Sequence, residues 1–201
     1  MDKKILNHFK KNDPLLHAIA LKIGVLKIMT KESPENYFIK LCNEITGQQL
    51  SGASADAIFK RFKQLYPKGI TPKGVLNTSH EKLRAVGMSN AKAKYLRYLA
   101  KAVVDKKLQL DKLDSLSDEE VKRQLTQVKG IGPWTAEMFL MFTLSRSNVF
   151  SHGDLGLRKG LKKIYGFKKD PSIKTVEKII KKWSPYKTFG ARILWKSLEI
   201  E

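Results

Sequence analysis

Two short stretches carry side chains with chemical options. The first, VKGIGPWTA at 128–136, places Gly130, Gly132 and Pro133 within four positions and follows them with an indole, Trp134. Glycine lets the backbone turn tightly and lets a ligand approach its amides. Proline suits the first position of a helix, where its missing N–H has no intrahelical partner. Exposed amides at a helix mouth attract anions, so Gly130 and Gly132 read as a phosphate-holding turn. A helix connection that needs glycine only for its geometry gives the same pattern. The second stretch, VFSHGDLGLR at 149–158, sets Asp154 just ahead of a helical pattern over 155–165. Such a carboxylate can cap the helix; it can also stabilise a developing cation or take a proton from water. Spacing alone favours the cap.

Other chemistries find little support. Cys42 is the single cysteine, which rules out an internal disulfide and any cysteine-only zinc or iron–sulfur site within one chain. His8, His17, His80 and His152 show no i, i+4 pairing of the kind a helical metal site uses.

The partner is suggested by charge. Lys and Arg number 39 against 19 Asp and Glu, a formal net charge of +20. Charge of this size bears on partners and solubility, not on fold. Nucleic acid leads, because each neutralised phosphate releases condensed counterions; a lysine-rich surface with no specific partner is the alternative. No long apolar run and no signal-like start occurs, so an intracellular, nucleoid-associated protein is expected.

The elements that must position these residues read as helices. Apolar residues from Ile45 to Leu65 recur at helical spacing over 43–65. Thr78–Glu81 and Ser117–Glu120 both fit a capping box, a hydroxyl followed three residues on by a carboxylate. Gly87 and Gly130 stand where the helices behind those boxes should end. Residues 91–103 and 172–183 read as further helices, and 66–77 as the longest loop. The run EMFLMF at 137–142 is apolar nearly all round and reads as a buried helix. Strand alternation and hairpin dipeptides are missing. The fold class is therefore all-α.

In order along the chain, ITGQQLS (45–51), GMSNAK (87–92), VKGIGPWTA (128–136), VFSHGDLGLR (149–158) and Trp195 together resemble the helix–hairpin–helix DNA glycosylase superfamily. Its alkylation-repair branch, typified by 3-methyladenine DNA glycosylase II, is the most similar. The resemblance spans roughly residues 13 to 198. In the superfamily's glycosylase/lyases a lysine nucleophile precedes the Thr-Ala pair; here Trp134 takes that position, which implies a monofunctional enzyme. The lack of a cysteine cluster separates the chain from the endonuclease III and adenine glycosylase branches. The chain departs from the branch pattern at Ser151-His152-Gly153, where a proline and a second acidic residue are common, and His152 is a candidate DNA contact.

The resemblance implies a two-lobed helical fold. One lobe covers 36–145 and ends in the hairpin, the other combines 1–35 with 146–201, and the cleft between them should hold Asp154. It further implies that Asp154 is the catalytic carboxylate. Trp134 and Trp195 would line the base pocket, since electron-rich indoles attract cationic alkylated purines. Gln49, with Gln48 beside it, would fill the gap left by a flipped base. Gly130, Gly132 and Thr135 would form the phosphate-binding hairpin. A monovalent Na or K ion held by the main-chain carbonyls of Thr126, Val128 and Ile131 is expected, with no cofactor required for catalysis. The expected partner is damaged double-stranded DNA, bound by a monomer, and the expected reaction is release of 3-methyladenine or 7-methylguanine type bases. The family's extra N-terminal β-rich domain is not expected in a chain this short. Two rivals stand: a glycosylase of other specificity (uracil, hypoxanthine or an oxidised base), and a non-catalytic hairpin DNA binder.

Overall fold

The computed structural model of the chain describes residues 2–24, 26, 29–50 and 52–200. Among the described residues all regular structure is helical, as the patterning predicts. The chain divides into two units, Met1–Thr30 with Ser145–Glu201, and Lys31–Leu144. Helices α1 (Lys3–Asn12) and α2 (Pro14–Ile23) open the first unit. The second unit holds α3 (Tyr37–Gly47), α4 (Gly52–Gln64), α5 (Pro72–Asn77), α6 (His80–Ala85) and α7 (Asn90–Val104). It closes with α8 (Asp118–Thr126) and α9 (Pro133–Met138). The chain then completes the first unit with α10 (Leu155–Tyr165), α11 (Ile173–Lys181) and α12 (Lys187–Ser197).

The discontinuous unit is organised by one buried carboxylate. Asp13 separates α1 from α2 and caps α2 by accepting from the Leu16 N–H at 3.1 Å. Its other oxygen accepts from the Trp183 indole N–H at 2.8 Å and from the Tyr165 hydroxyl. Trp183, Phe9 and Leu16 are fully buried around it. Burial, and then the neighbouring Asp13 carboxylate, push the Tyr165 hydroxyl well above its ordinary range. A buried carboxylate is tolerated because donors surround it. Through Tyr165 this one residue fixes the far end of α10, the helix that begins after Asp154.

In the continuous unit, α3 carries the core on Phe38, Leu41, Cys42 and Ile45, all buried. Burial raises the Cys42 thiol far above its ordinary value, so it acts as a small apolar filler. Lys92, in the first turn of α7, donates to the Thr46 carbonyl at 2.8 Å. That cation caps the carboxyl end of α3, where carbonyls lack helical partners, and burial lowers its pKa.

Several local expectations are corrected. The periodicity over 43–65 spans two helices, α3 ending at Gly47 and α4 beginning at Gly52, a division that an apolar count cannot see. Thr78 does not cap α6: Ser79 does, accepting from the Lys82 N–H at 3.3 Å, while Thr78 ends α5 and donates to the Gly74 carbonyl. Two adjacent hydroxyls made the choice ambiguous. Ser117 caps α8 as expected, but Glu120 turns to Arg123 and Gln124 instead of reaching back. Gly130 lies beyond the end of α8, in the turn closed by the Ile131 N–H on the Val128 carbonyl. The expected loop at 66–77 contains α5, capped by the Thr71 hydroxyl. Finally, α9 widens into a π turn over Phe139–Thr143, a rare form that often marks functional regions. Phe142 emerges from this apolar run, 41% exposed.

Candidate functional site

In the first unit the site is built at the start of α10. Asp154 is the N-cap, and its Oδ1 accepts from the Leu157 N–H at 2.7 Å. The same oxygen accepts from the Trp195 indole N–H, which reaches it from α12 at 2.9 Å. Capping and chemistry are therefore compatible in one carboxylate, which two N–H donors hold in a fixed orientation. Trp195, which the resemblance places in the base pocket, directs its indole N–H at Asp154 and so helps to orient the carboxylate. Gly156 makes this possible. A Cβ there would lie 2.9 Å from Trp195 Cδ1 and 3.1 Å from Asp154 Oδ1, so any larger residue pushes the indole off the carboxylate.

The segment leading into Asp154 is pinned on three sides. The Thr188 hydroxyl, at the start of α12, donates to the Arg146 carbonyl at 2.7 Å and accepts from the Val149 N–H at 3.0 Å. Phe150 packs its ring edge against Trp183. His152, flagged as a DNA contact, places Nε2 2.7 Å from Glu177 Oε1 on α11. The departure at 151–153 thus leaves Asp154 in a supported turn.

In the second unit the candidate residues gather at the hairpin between α8 and α9. Gln48 ends α3 and donates from Nε2 to the Gly130 carbonyl at 2.9 Å and to the Thr135 hydroxyl at 3.0 Å. Thr135 is buried, and its side chain ties the hairpin to Gln48. Gly130 adopts φ +102°, and a Cβ there would lie 2.1 Å from the Tyr95 ring. Both its conformation and its packing demand glycine. A Cβ on Gly132 meets nothing within 4 Å, so the backbone at the helix mouth is open to approach. Trp134 is half-buried in the first turn of α9.

Gln48 and Gln49 face different tasks. While Gln48 binds the hairpin, Gln49 is exposed and sits at φ +57°, a left-handed conformation that costs a non-glycine residue about 1 kcal/mol or more. Strain of this kind is retained where a side chain must project from a tight turn. Ser51, the last residue of the ITGQQLS motif, lies outside the described residues. Sequence reading missed Gly156, Tyr95 and the Trp195 contact. Their signal is a pairing across the chain, invisible to motif spacing.

The carbonyls of Thr126 and Val128 stand at the carboxyl end of α8, where helical N–H partners have run out. The Val128 carbonyl accepts from the Ile131 N–H at 3.0 Å and keeps a second lone pair. Neutral oxygens at a negative helix end fit a monovalent cation.

Residues 42–185 match the family described as HhH-GPD superfamily base excision DNA repair protein. DNA-3-methyladenine glycosylase 1 of Schizosaccharomyces pombe is 34% identical over 175 residues, covering 86% of this chain and 75% of that protein. A solved structure of the fission-yeast 3-methyladenine DNA glycosylase in complex with abasic DNA superposes with a TM-score of 0.90 at 30% identity, over 98% of both chains. A DNA-3-methyladenine glycosidase from Bacillus halodurans superposes with a TM-score of 0.83 at 35% identity, over 98% of this chain and 89% of that one.

Proposed function

The chain belongs to the HhH-GPD superfamily of base excision DNA repair proteins, and from that membership we propose a monofunctional DNA glycosylase for alkylated purines in duplex DNA. It hydrolyses the N-glycosidic bond of bases of the 3-methyladenine and 7-methylguanine type and leaves an abasic site. The observation that carries this reading is the Asp154 carboxylate, held by the Leu157 and Trp195 N–H groups at the head of α10.

The chemistry follows from the charge of the substrate. An alkylated purine is cationic, so the glycosidic electron pair leaves with the base and neutralises it. The sugar becomes oxocarbenium-like. Asp154 stabilises that charge and takes the proton of the water that adds to C1′. Trp134 offers an indole face to the cationic base, and Gln49 occupies the space the flipped nucleotide leaves. Trp134 stands where lyases of the superfamily carry a lysine, so no Schiff base forms there. Gly130, Gly132 and the Thr135 amide hold a backbone phosphate without reading sequence. The carbonyls of Thr126, Val128 and Ile131 would hold a Na or K ion that steadies this turn. The reading makes the chain an intracellular enzyme that acts as a monomer.

The test is incubation with methylated duplex DNA and mass spectrometry of the released bases, with Asp154→Asn in parallel. Wild type is expected to release 3-methyladenine, and the variant to bind DNA but release almost none. Binding with no base released from any alkylated duplex would leave a hairpin DNA binder instead. Strand cleavage without added base or amine would overturn the monofunctional assignment.

A further inference from the structure

Helix α11 carries a row of cations that none of the steps above uses. Lys174, Lys178 and Lys181 recur at i, i+4 and i+7, so they share one helix face. The opposite face packs Val176, Ile179 and Ile180 into the core, while the three lysines, and Lys182 beside them, are exposed. None of the four enters an ion pair among the described residues. The row continues onto α1. His8 places Nε2 3.0 Å from the Lys182 carbonyl, and Lys4 and Lys11 flank His8 on the same face of α1, one turn to either side.

Helix chemistry accounts for only part of this row. Lys178 and Lys181 stand in the last turn of α11, where cations suit the negative end of the helix dipole. Lys174 stands in the first turn, at the positive end, and no acidic residue there offsets it. Like charges four residues apart also repel. Glu177 lies three residues from Lys174 and four from Lys181, within reach of both, yet its carboxylate oxygen lies 2.7 Å from His152 Nε2 instead. The carboxylates that flank these two helices in the chain are engaged as well. Asp170 pairs with Lys162, Asp2 accepts from the Lys4 amide, and Asp13 is taken up by its buried donors. The ridge therefore keeps its charge. The same Glu177–His152 contact bonds α11 to the turn that ends in Asp154, so the lysines stand on a helix joined to the catalytic segment.

We propose that this ridge is a second DNA contact, which takes backbone phosphates of the lesion-bearing duplex while the hairpin amides take others. The proposal rests on the glycosylase reading for its partner and adds a contact in the unit that carries Asp154. The row from Lys174 to Lys181 is about 10 Å long at about 1.5 Å per residue. Duplex DNA presents one phosphate charge per about 1.7 Å of axis, so two or three phosphates fall within reach of the flexible lysine stems. Each such contact releases condensed counterions and relieves the repulsion along α11. Phosphates carry no sequence information, so the ridge holds any duplex and leaves selection to the base pocket.

The experiment compares the full chain with two charge-matched triple variants. One replaces the ridge (Lys174→Gln, Lys178→Gln and Lys181→Gln). The other replaces three exposed lysines of the second unit (Lys60→Gln, Lys68→Gln and Lys73→Gln). Fluorescence anisotropy follows affinity for undamaged duplex from about 50 to 200 mM salt. The ridge variant should show a log–log slope shallower by about 2–3, near 0.9 for each phosphate given up, and an affinity lower by about tenfold or more. The control should change its slope by less than about 1. Half-saturation for 7-methylguanine release by the ridge variant should rise by the same factor as its affinity falls. Equal slope changes in both variants would show that total charge sets binding, and overturn the proposal. An unchanged slope in the ridge variant overturns it too and leaves a solvated lysine face. If half-saturation holds while bridging of a second labelled duplex is lost, the phosphates belong to another duplex and the assignment to the lesion-bearing one falls. Release of no base from any duplex overturns the glycosylase reading alone, because the slopes still decide the ridge.

Discussion

At the scale of single residues, the site depends on orientation more than on reactivity. Asp154 lies in a turn that three neighbours brace, and one indole N–H fixes its direction. Trp195→Phe keeps an aromatic ring but removes that donor. It should lower kcat for 7-methylguanine release about tenfold to 100-fold while DNA binding stays near wild type, because a mis-aimed carboxylate loses transition-state stabilisation and not ground-state contacts. Gly156→Ala should lower kcat in the same way, since its Cβ would displace the same indole; unchanged single-turnover rates in both variants would remove Trp195 from the mechanism. Glu44 makes a separate thermodynamic prediction. Burial on α3 raises its carboxyl to about 7, above the 4.5 of an ordinary glutamate, so the folded state carries no penalty below about pH 4.5. The penalty grows as pH rises to about 7 and is constant beyond. Glu44→Gln should therefore stabilise the fold by roughly 1–2 kcal/mol at pH 8, after allowance for the partial exposure of the group, and by almost nothing at pH 4.5. Urea unfolding at the two pH values measures the difference.

At the scale of elements, the hairpin is held from outside as much as by its own glycines. Gly130 is wedged against Tyr95 of α7, and Gln48 reaches it from the end of α3. Gly130→Ala should destabilise the protein by about 2–4 kcal/mol, because it combines a left-handed backbone with a collision against an aromatic ring. A melting temperature within a degree of wild type would show that the turn has another way to pack. This is also where sequence legibility ended. Pro133 at the head of α9, the Asp154 cap and the span of α10 were all readable, because each obeys a local rule of helix chemistry. The Ser79 cap was misplaced by one residue because Thr78 satisfies the same local rule. The π turn after Met138 and the pairings of Gly130 with Tyr95 and of Gly156 with Trp195 had no local signal. They arise where two helices approach, and only the folded chain brings those residues together. Gln48 was legible as part of a turn but not as the residue that holds it.

At the scale of the whole molecule, the net charge of +20 acts on encounter and not on chemistry. Ion pairs such as Lys101–Asp105 and Lys196–Glu199 are partly exposed side-chain contacts, and pairs of this kind contribute little to stability. The larger consequence of the lysines is therefore felt by a polyanion. If the enzyme neutralises about six phosphates, its affinity for undamaged duplex should fall roughly 10³-fold between 50 and 200 mM salt, along a straight line in log–log form. The hydrolytic step differs. Asp154 and Trp195 interact over less than a Debye length, in partly buried surroundings where salt screens weakly. The single-turnover rate at saturating enzyme should then stay within about twofold over the same range, while half-saturation moves with the binding constant. Fluorescence anisotropy on undamaged duplex and base-release kinetics on 7-methylguanine duplex separate the two quantities. A saturated rate that fell in step with affinity would mean that a phosphate contact is made only as the base leaves. That would move part of the basic surface from recognition into catalysis.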